Sequence, residues 1–227
     1  MVRCKISNSK FLPFNCLVML NRIIFSALKN AAVLSVLFIS SLVLADAGLN
    51  VPLPVDPDLK LAKLKNGLTY YIKKNNTPKE KVELRLVVKF GSVDESDEQL
   101  GAAHFIEHLA FKNSRNFKNN SVRPKLASIG IEFGRDLNAH TEFDLTRYEI
   151  SLPSNKKSHL QIGLQTLADF AAHVDIRPED ITGEEEIVAE EQRLRNNLDY
   201  RKTMAMLASA LPGTQYSHRS PIGVESV

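Results

Sequence analysis

At 227 residues, with 44% hydrophobic and 24% charged side chains, the chain has the profile of a globular domain and not of a disordered segment. Its net charge of +3 comes from the first 47 residues, where Arg3, Lys5, Lys10, Arg22 and Lys29 face only Asp46; the remainder holds 24 basic and 25 acidic side chains. That balance leaves no basic footprint for nucleic acid, and with Cys4 and Cys16 both in the first segment the remainder has no thiolate for a disulfide, a metal or a nucleophile.

Residues 31–44, AAVLSVLFISSLVL, are apolar and uncharged, follow basic residues and run into Ala45-Asp46-Ala47. Such a stretch is short of the roughly 20 residues that span a bilayer. Residues 1–47 therefore read as a secretory signal peptide cut near Ala47–Gly48, with Met19 as an alternative start. The expectation is an exported protein, periplasmic or secreted; an uncleaved membrane anchor is the alternative. Residues 48–227 then form one domain.

Asn66-Gly67 between Lys60–Lys65 and Leu68–Lys73 predicts a β-hairpin. Val82, Leu84, Leu86, Val88 and Phe90 alternate with mostly polar residues, which predicts a half-buried strand over Lys81–Phe90. Ser96 and Gln99 have capping-box spacing and predict the start of a helix. That helix carries His104-Phe105-Ile106-Glu107-His108. Residues four apart share a helix face, so His104 and His108 point the same way, one turn apart, with Glu107 beside them. Two imidazoles and a carboxylate on one face are parts of a catalytic zinc site, with Glu107 as general base. Zinc then needs one further protein ligand.

Val122–Gly130 reads as a short helix and Ile131–Phe133 as a short strand. Asp136–Asp144 is polar and contains Asn138-Ala139-His140-Thr141. Tyr148, Ile150 and Leu152 alternate as a strand. Leu160, Leu164, Leu167, Phe170 and Val174 recur at helical spacing over 156–174. Thr182 and Glu185 form a second capping-box pair, predicting a long helix over roughly 183–209, ended by Pro212 and Gly213. Its acidic run, Glu184-Glu185-Glu186-Ile187-Val188-Ala189-Glu190-Glu191, offers the missing ligand; Glu184 and Glu191 lie seven apart on nearly the same face, and periodicity leaves the choice open. His140, His159, His173 and His218 lack ligand spacing; His140 lies near the expected cleft, and His159 and His173 read as solvated residues on a surface helix. The succession of elements suggests an α+β fold, an antiparallel sheet packed against helices.

The motif and its surroundings resemble the pitrilysin (insulinase-like, M16) zinc peptidases, which carry this inverted His-x-x-Glu-His order. Asn66-Gly67-Leu68, Phe90-Gly91-Ser92-Val93, Leu109-Ala110-Phe111, Asn138-Ala139-His140-Thr141 and Tyr216 to Gly223 resemble family blocks in the family's order, so the resemblance spans about 55–227. It looks closest to the bacterial exported members. It implies Glu191 as third zinc ligand, Glu184 as the acid that orients a ligating His, Glu190 as a lesser candidate, and Asn138 and Ala139 as substrate-binding residues near the peptide backbone, with the neighbouring edge strand taking the peptide by strand addition. It implies a zinc-dependent endopeptidase acting on short or unfolded peptides. The family's peptidases are built from paired homologous domains, so the domain reads as incomplete at its C-terminus, with a second homologous domain or partner subunit expected. A non-catalytic metal- or peptide-binding subunit, or a truncated fragment that needs a second domain or partner chain for activity, is the alternative. Asn113-Ser114 departs from the family, which often has Gly there.

Overall fold

The computed structural model describes residue 52 and residues 54–223; the expected signal segment, with Cys4, Cys16 and its cleavage site, lies outside the described residues. Two compact units divide at Lys74. In the first, β1 (Leu59–Lys63) pairs antiparallel with β2 (Thr69–Lys73). Gly67 turns the chain at φ +94°, a conformation that glycine adopts without Cβ strain, and Leu68 donates its N–H to the Asn66 side chain. The hairpin is the one that Asn66-Gly67 predicts.

The second unit is built on a three-stranded antiparallel sheet in the order β3 (Val82–Val88), β5 (Thr146–Leu152), β4 (Leu137–Thr141). β5 is central because its Thr146, Tyr148, Ile150 and Leu152 are all buried, alternating with half-buried partners. Ile150 pairs with Leu84 of β3 on one side and Leu137 of β4 on the other. The polar segment that contains Asn138 is thus an edge strand, whereas Ile131–Phe133 makes no strand beyond a single bridge from Phe133 to Leu137.

The helices are α1 (Ala102–Leu109), α2 (Val122–Ala127), α3 (Lys157–Ala172), α4 (Pro178–Arg195) and α5 (Leu198–Ala210). Among the described residues, no helix is long and apolar enough to cross a membrane. One core joins Phe111, Leu126, Leu137, Tyr148, Ile150, Leu152 and Phe170. α3 reaches the sheet closely at Gly163, where a Cβ would lie 2.7 Å from Leu84 and 3.0 Å from Leu152. Sequence periodicity located α3, but its buried face is Gly163, Thr166, Leu167, Asp169 and Phe170, and Leu164 of the expected stripe is 56% exposed.

Two helix starts differ from expectation. α1 begins at Ala102, not behind Ser96: Glu95, buried in the preceding loop, accepts from the N–H groups of Gly101 and Ala103, both at 2.8 Å. A glutamate seven residues ahead satisfies the helix's free donors, a cap no capping-box pattern describes. The Ser96 and Gln99 side chains only hydrogen-bond each other, while the Gln99 carbonyl accepts from the Ala102 N–H. Likewise, α4 starts at Pro178, whose missing N–H costs nothing at a first helical position. Thr182 lies inside α4 and returns its hydroxyl to the Pro178 carbonyl. The expected single helix over 183–209 is two, broken at Asn196-Asn197, where Asn197 caps α5 through the Tyr200 N–H.

The tail beyond a 3-10 turn at Gln215–Ser217 is built into the unit. Buried Arg219 donates to the Glu95 carbonyl and pairs with Asp97, and Gln192 donates to the Ile222 carbonyl. Gly101, at φ +93°, meets Gly223 so closely that a Cβ would sit 3.0 Å from the Gly223 Cα. The start of α1 is thereby held by the loop before it and by the tail.

Candidate metal centre

α1 and α4 pack together and bring their polar faces into contact. His104 and His108 stack edge to face, with ring centroids 4.7 Å apart. Glu191 Oε2 lies 3.3 Å from His108 Nε2 and 3.7 Å from His104 Nε2. The three donor atoms all fall within 4.8 Å of one another. A tetrahedral ion with bonds of about 2.0–2.2 Å needs ligand atoms roughly 3.3–3.6 Å apart; the two Glu191 contacts are close to this, and the donor set of two imidazoles and one carboxylate suits zinc. Neither helix holds the site alone. It exists where the i, i+4 face of α1 meets Glu191.

Around the cluster, each carboxylate has a separate environment. Glu184, 4% exposed, accepts from His108 Nδ1 at 3.0 Å and pairs through its other oxygen with Lys112. With Nδ1 donating to Glu184, the neutral ring of His108 leaves Nε2, on the side of Glu191, as the nitrogen able to bind a metal. Burial alone would raise the Glu184 carboxyl, but Lys112 and His108 outweigh it and hold it below the usual range. Glu191 is held down to about 2, first by its contact with His108 and, against the effect of burial, by His104 and Arg195.

The two imidazoles diverge. Burial, then His108, pulls His104 down to about 4, so its ring is neutral at pH 7 and free to donate a lone pair. Burial also works against a charge on His108, but Glu191 and Glu184 overcome it and its value ends above the ordinary one. His104 Nδ1 is buried without a hydrogen-bond partner among the described residues.

Glu107 is 7% exposed and faces the same cavity. Burial pushes its carboxyl up, and the Thr141 hydroxyl, donating to Oε2 at 2.7 Å, partly offsets this. A carboxylate shifted upward in a cavity is suited to taking and returning a proton near neutral pH. Thr141 belongs to the same β4 strand as Asn138 and Ala139, which line the cavity with His140. The cavity has a volume of about 650 Å³.

The structure thus brings together His104, Glu107, His108, Glu184, Glu191, Asn138 and Ala139. Glu190 points away and pairs with Arg193 in solvent. His159 is half-buried and hydrogen-bonded to Ser154, and His173 lies just past α3, also half-buried, so neither is the freely solvated helix residue expected. Thr141, Lys112 and Glu95 were missed as contributors. Their partners lie across the fold or in a loop, and no local spacing marks them. Asn113 and Ser114 are buried and bonded, Asn113 to Asp180 and Ser114 to Asp169, which gives their side chains structural work that glycine could not do.

Residues 70–219 match the family model described as insulinase (peptidase family M16). The chain belongs to this peptidase family. A protein of Haemophilus influenzae named "Probable zinc protease PqqL" is 38% identical over 174 residues, which cover 77% of this chain and 19% of that protein. The Escherichia coli protein of the same name is 33% identical over 186 residues, covering 82% of this chain and 20% of the relative. The crystal structure of the first half of the periplasmic protease PqqL from Escherichia coli superposes with a TM-score of 0.73 at 34% identity, covering 77% of this chain and 37% of that one. The chain spans about a fifth of the length of these two curated relatives. The M16 fold, an antiparallel sheet with helices packed on it, is the α+β architecture expected, and relatives named as zinc proteases place the chain in a metalloprotease family.

Proposed function

We propose that this chain is the metal-holding domain of a zinc-dependent endopeptidase that hydrolyses internal bonds of short or unfolded peptides. The observation that carries the reading is the convergence of His104, His108 and Glu191 beside the buried Glu107. His104, His108 and Glu191 would hold zinc, with Glu184 keeping His108 in the tautomer that leaves Nε2 free for it. Zinc, when bound, supplies a Lewis acid and makes water a nucleophile at neutral pH. Glu107 is the general base. Thr141 occupies its Oε2, which leaves Oε1 to take a proton from water and return it to the amine released when the peptide C–N bond breaks.

Asn138 and Ala139 form part of the wall along which the peptide lies, and β4 is the edge strand available to pair with it. A second homologous domain or a partner subunit completes the cleft; the length of the relatives supports this. An exported, periplasmic location is supported by the periplasmic relative and by the signal-like residues 1–47.

The test is zinc content and cleavage of an unstructured peptide by the purified protein. Stoichiometric zinc is expected, with cleavage reduced about 10²–10⁴-fold in Glu107→Gln at unchanged zinc content. A folded sample that takes up no zinc overturns the metal site. Full zinc occupancy with no Glu107-dependent cleavage overturns the catalytic reading and favours a non-catalytic metal- or peptide-binding subunit.

A further inference from the structure

The cavity wall beyond the His/Glu cluster is aromatic and cationic. Phe111 follows α1 and is buried, and Phe133 stands edge-on to it with ring centroids 5.8 Å apart. Phe133 is 56% exposed. Arg123, on α2, lays its guanidinium over both rings, 4.1 Å from the Phe133 centroid and 5.3 Å from that of Phe111. All three line the same cavity as Glu107 and Glu191.

The other Lys and Arg side chains lining this cavity are already paired. Lys112 is bound to Glu184, and Arg195 to Glu191 at 2.6 Å. Arg123 has neither a carboxylate partner nor a hydrogen bond among the described residues. A guanidinium held over a ring by cation–π attraction still has its N–H groups free to bind a carboxylate in two-point fashion. At the cluster end of the cavity the acids are themselves engaged, Glu107 by Thr141, Glu184 by His108 and Lys112, and Glu191 by Arg195 and the His pair. Among the described Lys and Arg side chains lining the cavity, Arg123 is therefore the one free to take an acidic side chain.

We propose that Arg123 is a specificity-determining residue: it selects peptides that carry an Asp or Glu side chain, binding the carboxylate while the side-chain methylenes lie against Phe133. This rests on the peptidase reading above and adds a substrate class to it.

The experiment uses the full chain loaded with zinc and carrying Glu107→Gln, so that binding is read without turnover. The probes are labelled unstructured peptides, each with a single Glu at a different position, paired with the same peptide carrying Gln. At one position the Glu peptide should bind about tenfold more tightly than its Gln twin, the scale of one charge-assisted bidentate contact. Adding Arg123→Gln should bring the ratio to unity, and Arg123→Glu should reverse it in favour of a Lys peptide; circular dichroism checks that each variant is folded. No discrimination at any position, or discrimination that survives Arg123→Gln, overturns the proposal. If the unaltered enzyme cleaves peptides while Glu and Gln twins bind alike, Arg123 is wrong and the peptidase reading stands. If no peptide is bound or cleaved, the peptidase reading has failed and the Arg123 proposal falls with it.

Discussion

The Thr141 hydroxyl of the edge strand donates to Glu107 Oε2 at 2.7 Å, joining the sheet to the motif helix. A buried carboxylate needs such a donor, since burial without one is costly. In the proposed reading the bond leaves Oε1 as the oxygen that takes the proton. Thr141→Val should therefore lower kcat about tenfold or more at unchanged zinc content, with KM little altered, because orientation of the base and not substrate binding is lost. Thr141→Ser keeps the hydroxyl and should restore most of the rate. Equal losses in Val and Ser would assign the effect to packing.

Glu184 touches no substrate in the proposed reading, so its contribution should appear in the metal and not first in the chemistry. Glu184→Gln should weaken zinc binding about 10- to 100-fold, measured by competition with a chromophoric chelator. Lys112→Met, which frees one oxygen of Glu184, should weaken it in the same direction and by less. Unchanged affinity in both would show that His108 is oriented by α1 alone.

Asp169 is fully buried on α3 and accepts from Ser114 Oγ, the Asn116 N–H and Asn116 Nδ2, each at 2.7 Å. It pins the loop that follows Lys112. Asp169→Ala leaves these donors without their acceptor and should cost about 2–4 kcal/mol in urea unfolding. A loss below half a kilocalorie would mean that water replaces the carboxylate.

Tyr148 lies on the central strand, 3% exposed; burial, with Glu107 nearby, pushes its hydroxyl above the ordinary value of 10.0. The sign follows from linkage. Above about pH 10 the unfolded chain releases this proton while the folded chain retains it, so the stabilisation is full below the unfolded value and is lost as pH rises toward the folded one. Near pH 11, native wild type and Tyr148→Phe should show the same tyrosinate absorbance, and wild type should gain one further tyrosinate only on unfolding. Wild-type stability should also decline more steeply than that of Tyr148→Phe over this range. A native-state difference of one tyrosinate between the two proteins would contradict the burial argument.

By itself the sequence determined which side chains share a face. His104, Glu107 and His108 follow from helical geometry, the hairpin from Asn66-Gly67, and the inward side of β5 from the alternation of Tyr148, Ile150 and Leu152, because each is set by a repeat a few residues long. Glu184 and Glu191 were legible as a pair on one face, yet their assignment to His108 and to the shared donor cluster leaned on family resemblance, since a helical period cannot say what a face meets. Only the tertiary structure decided that β4 carries Thr141 to Glu107, that Glu95 and not Ser96 caps α1, that Lys112 holds Glu184, and that Arg123 lies over Phe133. In each case the partners come from different elements or across a loop. Burial and charge choose the contact there, and these depend on how the sheet and helices pack, which no local spacing encodes.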